Sequence, residues 1–356
     1  MHIHTQEAQA ALEWNDPEPY DALDEPEPVF LALPATMQPA AAGDMNLFTS
    51  AVLPNVASSL VAIGLSVAWG AYSFIGTPAV SPDGMIELVV TAPLVCSLLG
   101  LQLIHELAHW AAALRHRLQM RLPFLIPSAA LGCAGGHAPL ASYPSNRTAL
   151  YEFSLAGPLA GGSASLLTFA IGLGMTATAS DQAASLFPTL ATTTLHCSLL
   201  GSLITEAFLG TSSPAADAAS LPLHPLALAG FAGLLANALA LLPVGRLDGG
   251  RAATAAYGRR SASTLGGLTL GVVVIASLVS DEPELLLLWM LTASPLFRQA
   301  EVPCVDEITP VDDARTRWLL PLLVLSATIV CPIPSSSLQA DSFDQLQAAA
   351  QNSALW

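Results

Sequence analysis

From Val52 onward the chain is a succession of apolar runs. Several are long enough to cross a hydrocarbon core about 30 Å thick, which takes roughly 20 helical residues. The runs cover about Val52 to Ile75, Ile86 to Leu114, Thr148 to Met175, Leu190 to Leu209 and Pro225 to Pro243. Further candidates are 263–280, 284–297 and 318–332, of which 284–297 is short for a full crossing. Only 11% of the 356 residues are charged and 53% are hydrophobic, with a mean hydropathy of +0.57. A soluble domain carries about 25% charged residues, so this chain lacks the surface such a domain needs. The pattern predicts an all-α, polytopic transmembrane helical bundle of about six to eight membrane segments over residues 46–335. It is flanked by an acidic, Pro-rich disordered arm at 1–45 and a polar tail at 336–356.

Residues 122–145 (LPFLIPSAALGCAGGHAPLASYPS) are apolar but repeatedly broken by Pro and Gly. A regular crossing helix is disfavoured there, and the stretch reads as a re-entrant, partly extended segment. Such backbone survives at membrane depth only where protein buries it or it lines a polar cavity.

Positive charge orients the bundle. There is no lysine, and no arginine precedes Arg115. Arg115, Arg117 and Arg121 follow the second run and set its end on the inner side. Arg147 opens the third run on that side, and Arg246, Arg251, Arg259 and Arg260 follow the 225–243 run there. One simple crossing by residues 190–209 would break this pattern, so that stretch is expected as a hairpin or interfacial segment. The formal net charge of −16 disfavours nucleic acid as a partner, since phosphate contacts need a basic surface. The five cysteines make no CxxC pair, which argues against a disulfide framework or a cysteine zinc cluster. The arm has neither the apolar centre of a signal peptide nor the Arg-rich, acid-poor character of a transit peptide.

Within the second run stands QLIHELAHWAA, with H-E-x-x-H at His105, Glu106 and His109. Positions i and i+4 share one helix face, so two imidazoles can close on one Zn²⁺ at roughly 2.0–2.1 Å. Glu106 lies beside them as the general base for a zinc-activated water. Each ionisable residue at the centre of a membrane helix costs about 2.5–3.5 kcal/mol, and three within five positions need a shared partner. A catalytic zinc usually has three protein ligands and an open position. Asp248, in LLPVGRLDGGRAA, follows an apolar run, precedes two glycines and falls on the same inner side as His109. An Asp before two glycines is also a common helix cap, but the matching depth favours the ligand. Among the other histidines, His2 and His4 belong to the solvated arm and His116 to an interfacial loop. His137 lies in the broken segment within reach of the cavity, His196 and Glu206 offer a second polar pair, and His224 opens a helix; none of these is read as a metal ligand, because polar residues inside a membrane more often pair with one another.

With H-E-x-x-H in one membrane run and L-D-G after a later one, the chain resembles the site-2 proteases, a family of intramembrane zinc metalloproteases. The resemblance reaches the plant and cyanobacterial branch named for ethylene-dependent gravitropism-deficient and yellow-green mutants. It rests on HELAHWAAAL, RLPFLIPSAALG, FSLAGPLAGG, HPLALAGFAGL, LPVGRLDGGRAA and EVPCVDEITPV, spanning roughly residues 86 to 315. It implies that His105, His109 and Asp248 bind zinc, that Glu106 is the base, and that the substrate is a transmembrane or membrane-proximal segment of another protein in the bilayer. It further implies a plastid membrane, thylakoid or envelope, with a cyanobacterial or bacterial inner membrane as the alternative. One position departs from the family pattern. Where the pattern has an Asn facing the substrate carbonyl, three residues before the Pro of L-P-V-G, this chain has Ala240. Asn237, one turn earlier, is either a substitute substrate contact or a polar helix residue without that role. Two rival functions follow: a proteolytically inactive relative that binds or chaperones membrane proteins, and an ion transporter.

Overall fold

A computed structural model describes residues 52–79, 88–210, 219–297 and 301–333. The arm at 1–45 and the tail at 336–356 lie outside the described residues. The order is α1 (Val52–Tyr72), α2 (Leu88–His116), β1 (Phe124–Ser128), β2 (Gly132–His137), α3 (Arg147–Ala177), α4 (Asp181–Ala184) and β3 (Thr189–Ala191). Then come α5 (Thr192–His196), α6 (Leu199–Leu209), β4 (Ser220–Pro222), α7 (Pro225–Ala240), α8 (Asp248–Tyr257), α9 (Arg259–Val279), α10 (Pro283–Phe297) and α11 (Asp313–Val330).

The chain is mostly helical. Among the described residues four helices are long and apolar enough to cross a membrane: α1, α2 over Val90–His116, α3 and α9. The remaining apolar runs give shorter helices. The 190–209 stretch is not one helix: it breaks into β3, α5 and α6, and β3 pairs antiparallel with β4. In α11, Asp313, Arg315 and Arg317 occupy the first turns and shorten its apolar part. Two short antiparallel pairs interrupt the helical pattern, β1 with β2 and β3 with β4.

At the centre sits α7, 16 residues long and buried from Ala227 to Ala240. At a rise of 1.5 Å per residue it spans about 24 Å, short of a full crossing, and it is walled in by protein on every side. Small residues let α3 reach it closely: a Cβ at Gly172 would strike the backbone of Ala227, and one at Gly230 would strike the backbone of Phe169. This small-residue approach is how membrane helices gain packing when lipid offers no hydrophobic drive.

Residues 122–145 contain no crossing helix. β1 and β2 form a hairpin whose register slips between Leu125 and Pro127. A proline lacks the N–H a ladder needs and is tolerated at such irregularities. The outer edge of β1 is taken by α1: Ser58 Oγ donates to Leu125 O (2.7 Å), Leu125 N–H donates to Ser59 Oγ (3.1 Å), and Asn55 Nδ2 donates to Leu122 O (3.2 Å). Side-chain hydroxyls here do the work of a neighbouring strand. β2 is buried throughout. Beyond α10, residues 301–312 are stitched to the α3 entrance by Val305 N–H to Pro144 O (2.8 Å) and Asp306 N–H to Ser145 O (3.1 Å).

Candidate metal centre

The three sequence-predicted ligands come together from two helices distant in the chain. His105 and His109 project from one face of α2, and Asp248 is the first residue of α8. They are 1%, 0% and 2% exposed. His105 Nε2 and His109 Nε2 stand 3.1 Å apart, and Asp248 Oδ2 lies 3.4 Å from the first and 3.3 Å from the second. A tetrahedral ion with bonds of roughly 2.0–2.1 Å has ligand-to-ligand edges of about 3.3–3.4 Å. The triangle is therefore of the size one such ion requires.

Tautomers sharpen the point. His109 Nδ1 lies 2.9 Å from the carbonyl oxygen of Phe153, an acceptor only, so Nδ1 carries the proton. His105 Nδ1 lies 2.8 Å from Asn237 Oδ1. The Asn237 amide cannot be turned round, because its Nδ2 donates to Gly233 O at 2.8 Å. Hence His105 Nδ1 also carries its proton. In the neutral imidazoles both Nε2 atoms are then bare lone pairs, and they face a carboxylate oxygen with no donor between them. Three converging lone pairs in a buried site repel unless a cation joins them. The donor set of two imidazoles and a carboxylate suits zinc, and the residues present fit such an ion.

Local sequence explains how the ligands reach this spot. Asp248 is not the cap of α8: Leu247 occupies that position without a side-chain cap bond, which leaves the carboxylate for the histidines. The two glycines after it allow the approach, since a Cβ at Gly249 would strike Leu241 O and one at Gly250 would strike Gly245 O. On α3, Gly157 leaves the space in front of the imidazoles open, and a Cβ there would meet the Nε2 atoms of both His109 and His105.

Glu106 accepts from Gln102 Nε2 at 3.1 Å through Oε1. Its other oxygen, Oε2, is buried without a hydrogen-bond partner among the described residues, and so is Asp248 Oδ1. Buried orphan carboxylate oxygens are costly, and a place beside them for a hydrogen-bond donor or a cation explains them. The backbone of β2 passes directly over this pair, because a Cβ at Gly136 would strike Glu106 Oε1 and lie against Gln102 Nε2.

Asn237 is in the site, but its amide is committed to His105 and Gly233, with Ser165 Oγ at 3.5 Å from Nδ2. His137 is buried at the end of β2, edge-on to Phe124. His116 pairs with Glu152 at 2.8 Å and His224 caps α7, while His196 and Glu206 fall on the separate helices α5 and α6. Sequence reasoning missed Gln102, the Phe153 carbonyl and Arg251. The i, i+4 spacing from Gln102 to Glu106 and the i, i+3 spacing from Asp248 to Arg251 were the available signals.

A buried His–His–Asp group of a size to hold a metal ion, two of its members on a helix long enough to cross a membrane, points to a class, and the comparison with known families agrees. The model of peptidase family M50 matches residues 93–279, more than half of the chain, and the chain belongs to that family, the site-2 proteases. Its relatives lie in the branch read from the sequence. It is 35% identical over 241 residues to the probable zinc metalloprotease EGY1, chloroplastic, of Arabidopsis thaliana, covering 68% of this chain and 43% of the relative. It is 30% identical over 252 residues to the probable zinc metalloprotease EGY2, chloroplastic, of the same plant, covering 71% and 42%. The probable zinc metalloprotease EGY3, chloroplastic, of Oryza sativa subsp. indica is 30% identical over 261 residues, covering 70% and 43%. The chain thus spans less than half the length of these relatives. No solved structure matches.

Proposed function

We propose that the chain is an intramembrane zinc metalloendopeptidase that cleaves transmembrane or membrane-proximal segments of other membrane proteins. The observation that carries the reading is the convergence of His105 Nε2, His109 Nε2 and Asp248 Oδ2 at tetrahedral-edge distances with both imidazole protons turned outward. Bound there, zinc supplies Lewis-acid activation of water and of the scissile carbonyl. Glu106 takes the proton of the attacking water and later gives it to the leaving amine. Gln102 holds one Glu106 oxygen, which leaves the other for that exchange. Asn237 and the Phe153 carbonyl fix the tautomers of the two histidines. On this reading Asn237 orients His105 and does not bind substrate.

A substrate segment must unwind to offer its amide, and residues 122–145, a re-entrant hairpin in this reading, give it an edge by strand addition. The edge is that of β2. In an antiparallel pair the N–H and C=O of one residue point to the same side, and those of Leu125 point to α1. Its partner Gly136 is therefore turned to the far edge, beside Glu106.

The relatives' chloroplastic names support a plastid membrane, thylakoid or envelope, with a cyanobacterial or bacterial inner membrane as the alternative. The second reading, an inactive relative that binds or chaperones membrane proteins, draws on Ala240: no amide stands there, and Asn237 is committed elsewhere. An ion transporter is disfavoured because it has no need of this ligand spacing.

The test pairs a metal assay with cleavage of a model transmembrane substrate. Glu106→Gln is expected to keep stoichiometric zinc and to lose cleavage, and His105→Ala is expected to lose zinc. Cleavage by Glu106→Gln would refute the mechanism; stoichiometric zinc in the unsubstituted chain with no cleavage of any membrane substrate would favour the inactive reading.

A further inference from the structure

The most deeply buried cation of the described chain stands directly behind the ligand set. Arg251, one turn after Asp248 on α8, is 1% exposed. Its Nε donates to Glu301 Oε2 at 2.6 Å, its Nη1 donates to Ala138 O at 2.9 Å, and its guanidinium lies 5.7 Å from the centre of the Phe153 ring. Arg251 thus faces two carboxylates unequally. Glu301 is bonded to it, whereas Asp248 Oδ1 is 3.9 Å from Nη1 and is the oxygen without a hydrogen-bond partner among the described residues.

Glu301 is itself buried and pinned. Its Oε1 accepts the Val302 N–H at 3.0 Å, its carbonyl accepts Arg259 Nη1 at 2.8 Å, and Arg246 Nε lies 4.0 Å from Oε2. It comes from the segment after α10, beyond residue 279 where the family match ends. A guanidinium as buried as that of Arg251 requires an anion. If Glu301 did not supply one, the carboxylate within a side-chain rotation is Asp248, at the i, i+3 position of the same helix.

We propose that Glu301 is a positioning residue for the metal centre: it holds Arg251 off Asp248 and so keeps the Asp248 charge for the metal. This rests on the zinc reading above. The segment after α10 then serves as part of the site, because its anion decides which of two partners the buried arginine takes.

The experiment measures zinc affinity of the full chain in lipid discs by competition with a chelator, with folding followed by thermal unfolding of the metal-free protein. Glu301→Gln, which removes the charge and keeps the shape, is expected to weaken zinc binding about 10- to 100-fold, the usual cost of disturbing a group behind a ligand. Adding Arg251→Met to Glu301→Gln removes the competing cation together with its anion and is expected to restore most of that loss. A merely structural role predicts the reverse, a double variant at least as weak as the single. Cobalt(II) in place of zinc gives a second readout, a ligand-field spectrum altered in Glu301→Gln and recovered in the double variant. Wild-type affinity in Glu301→Gln, or no recovery in the double variant, overturns the proposal. Should Glu301→Gln not fold, Glu301→Asp replaces it with a smaller expected loss, and unchanged affinity there overturns the proposal equally. His105→Ala in the same assay keeps the two readings apart: if it still holds zinc, the metal centre has been misassigned, whatever Glu301 does.

Discussion

Replacing Gly157 by alanine adds a single methyl group, and the structure assigns it a modest effect on stability and a large one on metal. Gly157 lies inside α3, a helix of 31 residues, facing the ligands. Alanine in a helix interior is favoured over glycine by roughly 0.5–1 kcal/mol, which offsets only part of the cost of moving the rings, so the metal-free fold is expected to lose up to about 2.5 kcal/mol. The new Cβ stands against the Nε2 atoms of both His109 and His105, in the space between the ligands and α3. Neither ring swings away cheaply, because each is anchored through Nδ1, one to Asn237 and one to the Phe153 carbonyl. Breaking either anchor costs about 1–3 kcal/mol for a buried unsatisfied donor, and a displaced ring is also lost as a ligand. Since groups behind a ligand already contribute 10- to 100-fold, blocking the ligands is expected to exceed about 100-fold in zinc affinity, or about 2.8 kcal/mol. Chelator competition measures the affinity, and thermal unfolding of the metal-free chain measures the fold. Gly157→Ala with wild-type zinc affinity would refute the placement of the ion between these rings. A collapse of the metal-free fold would instead mean that Gly157 is needed for packing.

Three further outcomes follow from the same geometry. Asn237→Ala is expected to weaken zinc about 10- to 100-fold through loss of the His105 tautomer lock; unchanged affinity with a fall in kcat alone would return Asn237 to the substrate side. Gly136→Ala, whose Cβ would strike Glu106 Oε1, is expected to lower kcat while zinc content stays stoichiometric, and unimpaired turnover would contradict the close passage of β2 over the base. Outside the membrane-spanning segments, burial pushes the Glu307 carboxyl up, but the Arg259 guanidinium and the Cys304 N–H outweigh it and hold the group below its ordinary value of 4.5. A depressed carboxylate stabilises fully above its ordinary value and loses that contribution as pH falls through the depressed one. The unfolding temperature is therefore expected to fall on acidification below about pH 4.5 by more in the parent than in Glu307→Gln, and parallel curves would dismiss the pair.

What the sequence determined by itself was whatever depends on short-range pattern. The apolar runs gave α2, α3 and α9 nearly at their observed bounds, because a helix in lipid must satisfy its backbone internally and so needs an unbroken run. H-E-x-x-H put two imidazoles on one face because i and i+4 are neighbours on any helix, and Pro and Gly marked 122–145 as something other than a crossing helix. The run at 225–243 gave α7 as well, but not that protein would surround it, since a helix apolar all round reads the same in lipid and in a core; three-residue strands such as β3 are too short to show a pattern. Only the tertiary structure decided the rest. It carried Asp248 across 139 residues to the histidines, committed the Asn237 amide to His105, laid Gly136 over Glu106 and brought Glu301 to Arg251. Each of these joins residues far apart in the chain, and its sign depends on distances of a few tenths of an ångström that local propensity does not encode.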